Sequence, residues 1–509
     1  MSNIILDSIA TSILPVGGLP NHHYWERDEF YCEVQNQLDC CRGWHKSCPP
    51  IGTPILPTRV IDVEDENLPE QVKLHISAEG ETASYTALSY CWGGDQRIKT
   101  TKDSLTSRIA GLELRSLPQT IQDAAIITRG LKIRYLWIDV LCIIQDDEKD
   151  KKTEIENMGR TYKSASLTIS AATAKTAEEG FLRVPEARIP IYSPSGDIAV
   201  ALLTLPKEPI ADRAWTFQEQ VLSPCILHFG NYRGVLFNCS TGTYRYDGHK
   251  FNHTGTIDFL GALPHTVFTQ RKSRRSLGKN WAEIITYYSK RRITNSEDRL
   301  PALAGIAKEF HKICGSNYWA GMWEKFSIRH LGWRARVTPS RALLRIKLEQ
   351  IQRPTWSWVS LMDKQLEEPN HIRIEVDEVM EENAKVIKWP VLEDQKIDFG
   401  QTTGGRLILQ GKLATFLTPP RAVPDPTRWE IGENWGVSIY YEIGDEVTEA
   451  DYRYFLLGFT AWKSAVGLVL VPDKHDEDGA FLRIGQFRIS AKAGEKYSWG
   501  IETREIIIV

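Results

Sequence analysis

YLWIDVLCIIQDD, residues 135–147, is a near-continuous apolar run interrupted by one carboxylate, Asp139. Its first ten residues, YLWIDVLCII (135–144), read as a strand covered by helices on both sheet faces. Upstream, YTALSYCWGG (85–94) reads as another strand that closes on two glycines. Between them, LPQTIQDAAIITRGL (117–131) reads as a helix, with Pro118 near its first turn and Gly130 near its end. Ile121, Ala124, Ala125, Thr128 and Leu131 recur at helical spacing on one face. A second helix is expected over roughly 150–164, followed by the strand SLTISAA (166–172). Strand–helix–strand–helix–strand implies a parallel, right-handed α/β unit. Ligands on such sheets sit beyond the carboxyl ends of the strands, here residues 92–96, 145–148 and 173–176.

Several polar residues stand inside runs that otherwise read as core: Ser89, Asp139, Gln145, Gln218 and Glu219. Buried polar groups require partners, so these residues, with Trp92, suggest a polar pocket or a polar core. An ionised Asp139 needs a cation or several donors, and Arg213, which opens RAWTFQEQ (213–220), is the partner the sequence offers. A core-fixing ion pair is favoured over direct chemistry. Trp215, Gln218, Glu219 and Leu222 share one helix face, and periodicity alone leaves open whether that face turns inward or outward. In the 150–164 helix the apolar stripe is Ile155, Met158, Tyr162 and Ala165, with Gly159 permitting close approach. Glu154 borders that stripe, where desolvation would raise its pKa and suit acid–base work, although pattern alone favours an ordinary surface charge; Glu156 points away from it.

The segment LDCCRGWHKSC (38–48) gathers ligand-type side chains. Cys41, His45 and Cys48 supply three of the four ligands zinc needs, with Cys32 or Cys40 as the expected fourth, although the spacing is not that of a common zinc motif. Packed thiols at a helix end are the favoured reading over zinc. The Walker loop, the GxGxxG fingerprint, the GxSxG elbow and HExxH do not occur. The prolines at 49, 50, 54 and 57 mark an extended linker before the strands expected in 57–65 and 68–80.

At 509 residues two to four domains are expected. A net charge of −3 gives no general pull towards nucleic acid or anionic membrane, and the basic run at 271–275 reads as a solvated loop. The first twenty residues lack a secretory pattern, and no stretch approaches a membrane span. With cysteines such as Cys91, Cys142 and Cys225 inside apolar runs, the expectation is a cytoplasmic protein with reduced thiols. Sixteen tryptophans imply large aromatic packing surfaces in both halves. Residues 213–240 read as a short helix and two strands around Gly230-Asn231, residues 278–335 as helical, and the chain beyond about 338 as β: RPTWSWVSL (353–361), GRLILQGKLATFL (405–417), AVGLVLVP (465–472), FLRIGQFRIS (481–490) and EIIIV (505–509).

These motifs resemble those of the fungal heterokaryon-incompatibility (HET) domain proteins. The three blocks of that family correspond to YTALSYCWG (85–93), LPQTIQDAA…YLWIDVLCIIQDD (117–147) with ENMGRTYKSASLTISAA (156–172), and RAWTFQEQVLSP (213–224), in the same order and spacing. Looser likeness continues through 287–307, 318–323 and 354–360. The resemblance implies a role in nonself recognition and regulated cell death, and a parallel α/β core likened to the TIR domain. Together with the sequence patterns, the expected organisation is an N-terminal Cys-rich helical segment (1–58), a TIR-like α/β core (59–240) that the resemblance supplies, a helical Trp-rich extension (241–337) and a C-terminal region (338–509) read as β-rich from its pattern alone. Some TIR domains cleave NAD with a glutamate on the helix before the third strand; their Asp-Trp-x-x-Glu pattern falls on residues 150–154 and selects Glu154, with Lys151 in the tryptophan's place. Two functions follow: a non-enzymatic signalling effector that associates with itself or with another incompatibility protein, or an NAD-hydrolysing effector using Glu154. The first is the leading expectation because of Lys151.

Overall fold

The computed structural model describes residues 24–49, 52–64, 70–182, 188–192, 198–202, 208–230, 234–255, 274–338, 353–362, 371–376, 379–390, 399–400, 404–414, 421–422, 428–431, 435–441, 451–491 and 503–509. The secretory-signal reading of residues 1–20, the start of the basic run at 271–273 and the Gly-Asn turn at 231–233 lie outside them. The chain divides into two compact units, Met1–Thr269 and Gln270–Val509.

The first unit runs, in order, through α1 (Asp28–Gly43), β1 (Arg59–Asp62), β2 (Gln71–Ile76), β3 (Tyr85–Ser89), α2 (Leu105–Ala110), β4 (Leu112–Glu113), α3 (Gln119–Gly130), β5 (Tyr135–Trp137), α4 (Asp139–Cys142), α5 (Glu148–Ser164), β6 (Leu167–Ser170), β7 (Arg188–Tyr192), β8 (Ile198–Leu202), α6 (Trp215–Leu222), β9 (Cys225–Gly230), β10 (Gly234–Cys239), β11 (Gly242–Tyr246) and β12 (Phe251–Gly255). Ten strands form one sheet in the order β12-β11-β10-β9-β6-β3-β5-β1-β2-β4. Its centre is parallel: β3 pairs in parallel with β5 and with β6, and β6 with β9. The flanks are antiparallel, β1 against β5 on one side and β10 against β9 on the other.

All residues of β3, β5 and β6 are buried, as strands covered on both faces must be. The expected stripe of α3 (Ile121, Ala124, Ala125, Thr128, Leu131) is buried throughout. Asp147 caps α5 by accepting from the Lys149 and Asp150 amides, and the acidic Glu148 and Asp150 suit the positive end of the helix dipole. One correction concerns the strand expected over 135–144. It stops at Trp137, and Asp139 instead opens the short helix α4. The carboxylate therefore marks a strand-to-helix turn, where its oxygen accepts from the Val140 amide at 2.7 Å.

The second unit contains the helices Arg274–Ser289 and Pro301–Cys314 and a ten-stranded sheet that includes Leu407–Ala414, Ala465–Pro472, Phe481–Ala491 and Thr503–Ile508. Arg274 and Arg275 lie in the first of these helices rather than in a loop. A second correction applies to 353–361, read as a strand: it forms turns and a short 3-10 helix, Trp358–Met362. Trp356 and Trp358 are buried there and donate to the Gly405 and Gly321 carbonyls at 3.0 and 3.3 Å. Among the described residues no helix is long and apolar enough to cross a membrane.

Candidate functional site

The loop after β3, the turn after β5 and helix α6 bring the expected polar residues together. Ser89, the last residue of β3, donates its hydroxyl to Glu219 Oε2 at 2.5 Å. Trp92 donates its indole N–H to Asp139 Oδ2 at 2.9 Å. Arg213 donates to the Tyr90 carbonyl at 2.6 Å and stands close enough to Asp139 and Glu219 to favour their ionised forms. Gln145 donates to the carbonyls of Asp139 (3.2 Å) and Ile143 (3.1 Å), which fastens the turn below the node. Tyr162 of α5 donates to the Leu88 carbonyl at 2.8 Å, beside the same carboxylates.

Helix α6 faces inward. Residues Thr216 to Leu222 are all buried, Gln218 and Glu219 among them, which settles the direction that periodicity left open. Trp215 at its start is half-buried and packs against the core.

The electrostatics follow from enclosure. Burial pushes the Glu219 carboxyl up to about 7; the Ser89 hydroxyl opposes this, neighbouring Asp139 adds to it, and Arg213 and Tyr162 oppose it. Burial also raises Asp139, against the pull of Arg213, the Val140 amide and the Trp92 and Tyr90 side chains. Two acids that share one desolvated space resist simultaneous ionisation.

Gly93 shapes the loop. Its φ is +77°, and a Cβ there would lie 2.7 Å from the Thr176 Cα. Only glycine permits this approach, which brings the Trp92 carbonyl within 3.2 Å of the Ala177 amide.

Glu154 lies in a different cluster. It is 3% exposed and 3.8 Å from Arg59 Nη2, with the Thr58 side chain nearby. Burial raises its carboxyl, with Thr58 and Arg59 opposing. Arg59 is chiefly engaged elsewhere: it donates to both oxygens of Asp150 (2.7 and 2.6 Å) and to the Cys142 carbonyl (2.6 Å). Asp150 in turn accepts from the Ile144 amide at 2.9 Å. This cluster joins β1, α4 and the start of α5. Glu156 is exposed, as its position on the helix implied.

One further grouping had no place in the sequence reading, and another gains a member it did not name. Ser170, at the end of β6, lies 3.1 Å from His228 Nδ1, and His228 Nε2 lies 3.0 Å from Glu208 Oε2. The order matches a serine–histidine–acid relay, yet Ser170 is fully buried, so its hydroxyl meets no substrate in this structure. A histidine inside the apolar strand CILHFG was the available signal. The other grouping completes the Cys/His cluster. Cys41, His45 and Cys48 converge as expected, but the fourth member is Cys239, at the end of β10. Cys40 is half-buried and Cys32 exposed, and neither belongs to the cluster.

Residues 85–219 match the family model described as Heterokaryon incompatibility protein (HET). No curated protein and no solved structure matches the chain.

Proposed function

From the premise that residues 85–219 are a HET domain, we propose that this chain acts in a heterokaryon-incompatibility-type response as a non-enzymatic signalling module of nonself recognition and regulated cell death. The observation that carries this reading is the enclosure of the domain's acidic groups. Glu219 is 4% exposed and engaged by Ser89, and Glu154 is 3% exposed and flanked by Arg59 and Thr58. Asp139 is held by Trp92 and the Val140 amide. Such groups fix a strand–turn–helix core and do not face a substrate. The likeness to TIR domains belongs to the same reading and draws on the parallel run β5-β3-β6 with α5 leading into β6. Signalling then proceeds through association, with a second copy or another incompatibility protein, over a surface other than α6.

A second reading has one specific observation in its favour. Glu154 sits on the helix before the third parallel strand, and burial raises its carboxyl. An opened form of the domain would present it as the NAD-hydrolysing group that the TIR likeness implies.

One experiment separates the two. The full chain and Glu154→Gln are incubated with NAD, and light scattering follows mass against protein concentration. Reversible assembly with NAD intact supports the signalling module. Glu154-dependent loss of NAD replaces it with the hydrolase reading, and a strict monomer that leaves NAD intact defeats both.

A further inference from the structure

We propose that Cys41, His45, Cys48 and Cys239 bind one zinc ion in a closed structural site that fastens the N-terminal helix to the sheet. Their ligand atoms all lie within 4.8 Å of one another. The Sγ atoms of Cys41, Cys48 and Cys239 lie 3.4, 3.7 and 3.5 Å from the same atom, His45 Nδ1. Zn–S bonds of about 2.3 Å and a Zn–N bond of about 2.0–2.1 Å in a tetrahedron give S···N edges of about 3.5 Å. The observed edges match that figure.

Hydrogen bonding does not account for this convergence. A neutral imidazole nitrogen carries one lone pair or one proton, so Nδ1 serves a single partner and not three sulfurs. A cation at the common centre satisfies all four atoms at once. The other ring nitrogen supports the same assignment. His45 Nε2 lies 3.2 Å from the Tyr244 hydroxyl, and the two rings stack with an interplanar angle of 11°. Nε2–H donates to the Tyr244 oxygen, which leaves the Nδ1 lone pair directed at the sulfurs. Thr241 Oγ1 lies 3.7 Å from Cys48 Sγ, placed to donate to a thiolate.

The donor set selects the metal. Three thiolates and one imidazole in a tetrahedron suit zinc and leave no open position for a substrate, which marks a structural site. Binding releases the thiol protons as the cysteines become thiolates. Cys41 is the third-last residue of α1, which packs on β10 and β12; His45 and Cys48 follow in the next turn; Cys239 ends β10. The ion thus links two segments that sequence holds 194 positions apart.

The test uses the full chain purified without chelator. Elemental analysis is expected to find about one zinc per chain. Exchange for Co(II) is expected to give the visible bands of a tetrahedral ion with thiolate charge transfer. Cys239→Ser loses the metal, whereas Cys32→Ser and Cys40→Ser keep it. Tyr244→Phe retains the four ligands and yields zinc to a competing chelator at roughly tenfold lower concentration. If Cys239→Ser fails to fold, the wild-type cobalt spectrum and the Tyr244→Phe competition still decide. The proposal falls if the wild-type chain neither carries zinc nor takes it up from an equimolar solution. It also falls if the non-reduced protein shows a disulfide between any two of Cys41, Cys48 and Cys239.

Discussion

Towards one edge of the first sheet, three thiols and an imidazole gather with their ligand atoms within 4.8 Å of one another. In the middle of the same sheet, carboxylates converge on groups that already fill the space between them. At the Cys/His cluster one nitrogen faces three sulfurs at 3.4–3.7 Å, which is the separation of ligands around an ion. At the other site Glu219 meets Ser89 at 2.5 Å and Asp139 meets Trp92 at 2.9 Å, which are contacts of direct hydrogen bonds. The distances between like groups, rather than their residue types, separate a place built for a ligand from a place built to hold the core. Both are polar interiors; only in the first do the donor atoms stand at the spacing of metal ligands.

The largest effect tests the first half of that contrast. Stripping the metal with a strong chelator is expected to cost on the order of 5 kcal/mol or more and to lower Tm by more than about 10 °C. A scan that is unchanged by chelator would make the cluster a set of packed thiols. Next, Arg59→Met takes the paired cation from half-buried Asp150 and the nearest one from buried Glu154, and a loss of about 3 kcal/mol is expected in denaturant titration. A near-neutral outcome would show that water reaches this cluster and would favour an accessible Glu154.

The central carboxylates make a pH prediction. The Glu219 carboxyl is raised from 4.5 to about 7 by burial, so the folded state keeps a proton that the unfolded chain releases. Its stabilisation is fully present below pH 4.5 and is lost as pH rises to about 7, amounting to up to about 3 kcal/mol. Asp139, also raised by burial, acts in the same direction. Glu219→Gln should flatten the stability curve between those pH values and raise stability above pH 7. An unchanged slope would mean that Glu219 titrates as an exposed acid. The smallest expected effect is at the loop. Gly93→Ala should cost about 2 kcal/mol, from its positive φ and the contact with Thr176.

The strand–helix–strand alternation over 85–172 was legible because α3 and α5 carry stripes at helical spacing, while β3 and β6 are short segments rich in apolar and β-branched residues. The extent of β5 was not. A strand and a buried helical turn are equally apolar, and the turn is marked only by local bonds: the Val140 amide donates to Asp139, and the Cys142 amide to the Ile138 carbonyl. The 353–361 segment misled for a related reason. Its alternating Trp356 and Trp358 carry the period of a strand, yet each indole is satisfied by a distant glycine carbonyl. Site chemistry followed the same division. Cys41, His45 and Cys48 lie within eight positions and could be read together, whereas Cys239 joins them only through the sheet order. An incomplete set of three ligands was the available sign that a fourth was missing. Ser89 and Glu219 could each be flagged as polar groups in apolar runs, but their 2.5 Å contact spans 130 positions and required the packing of α6.

The separation of His45 and Cys239 also imposes a timetable on the ribosome. The first three ligands emerge together, and the fourth is synthesised 194 positions after His45. At roughly 5–20 residues per second, that interval is about 10–40 s. Throughout it the nascent chain holds an unfinished three-ligand set, and the N-terminal helix must wait for β10 before it can be locked in place.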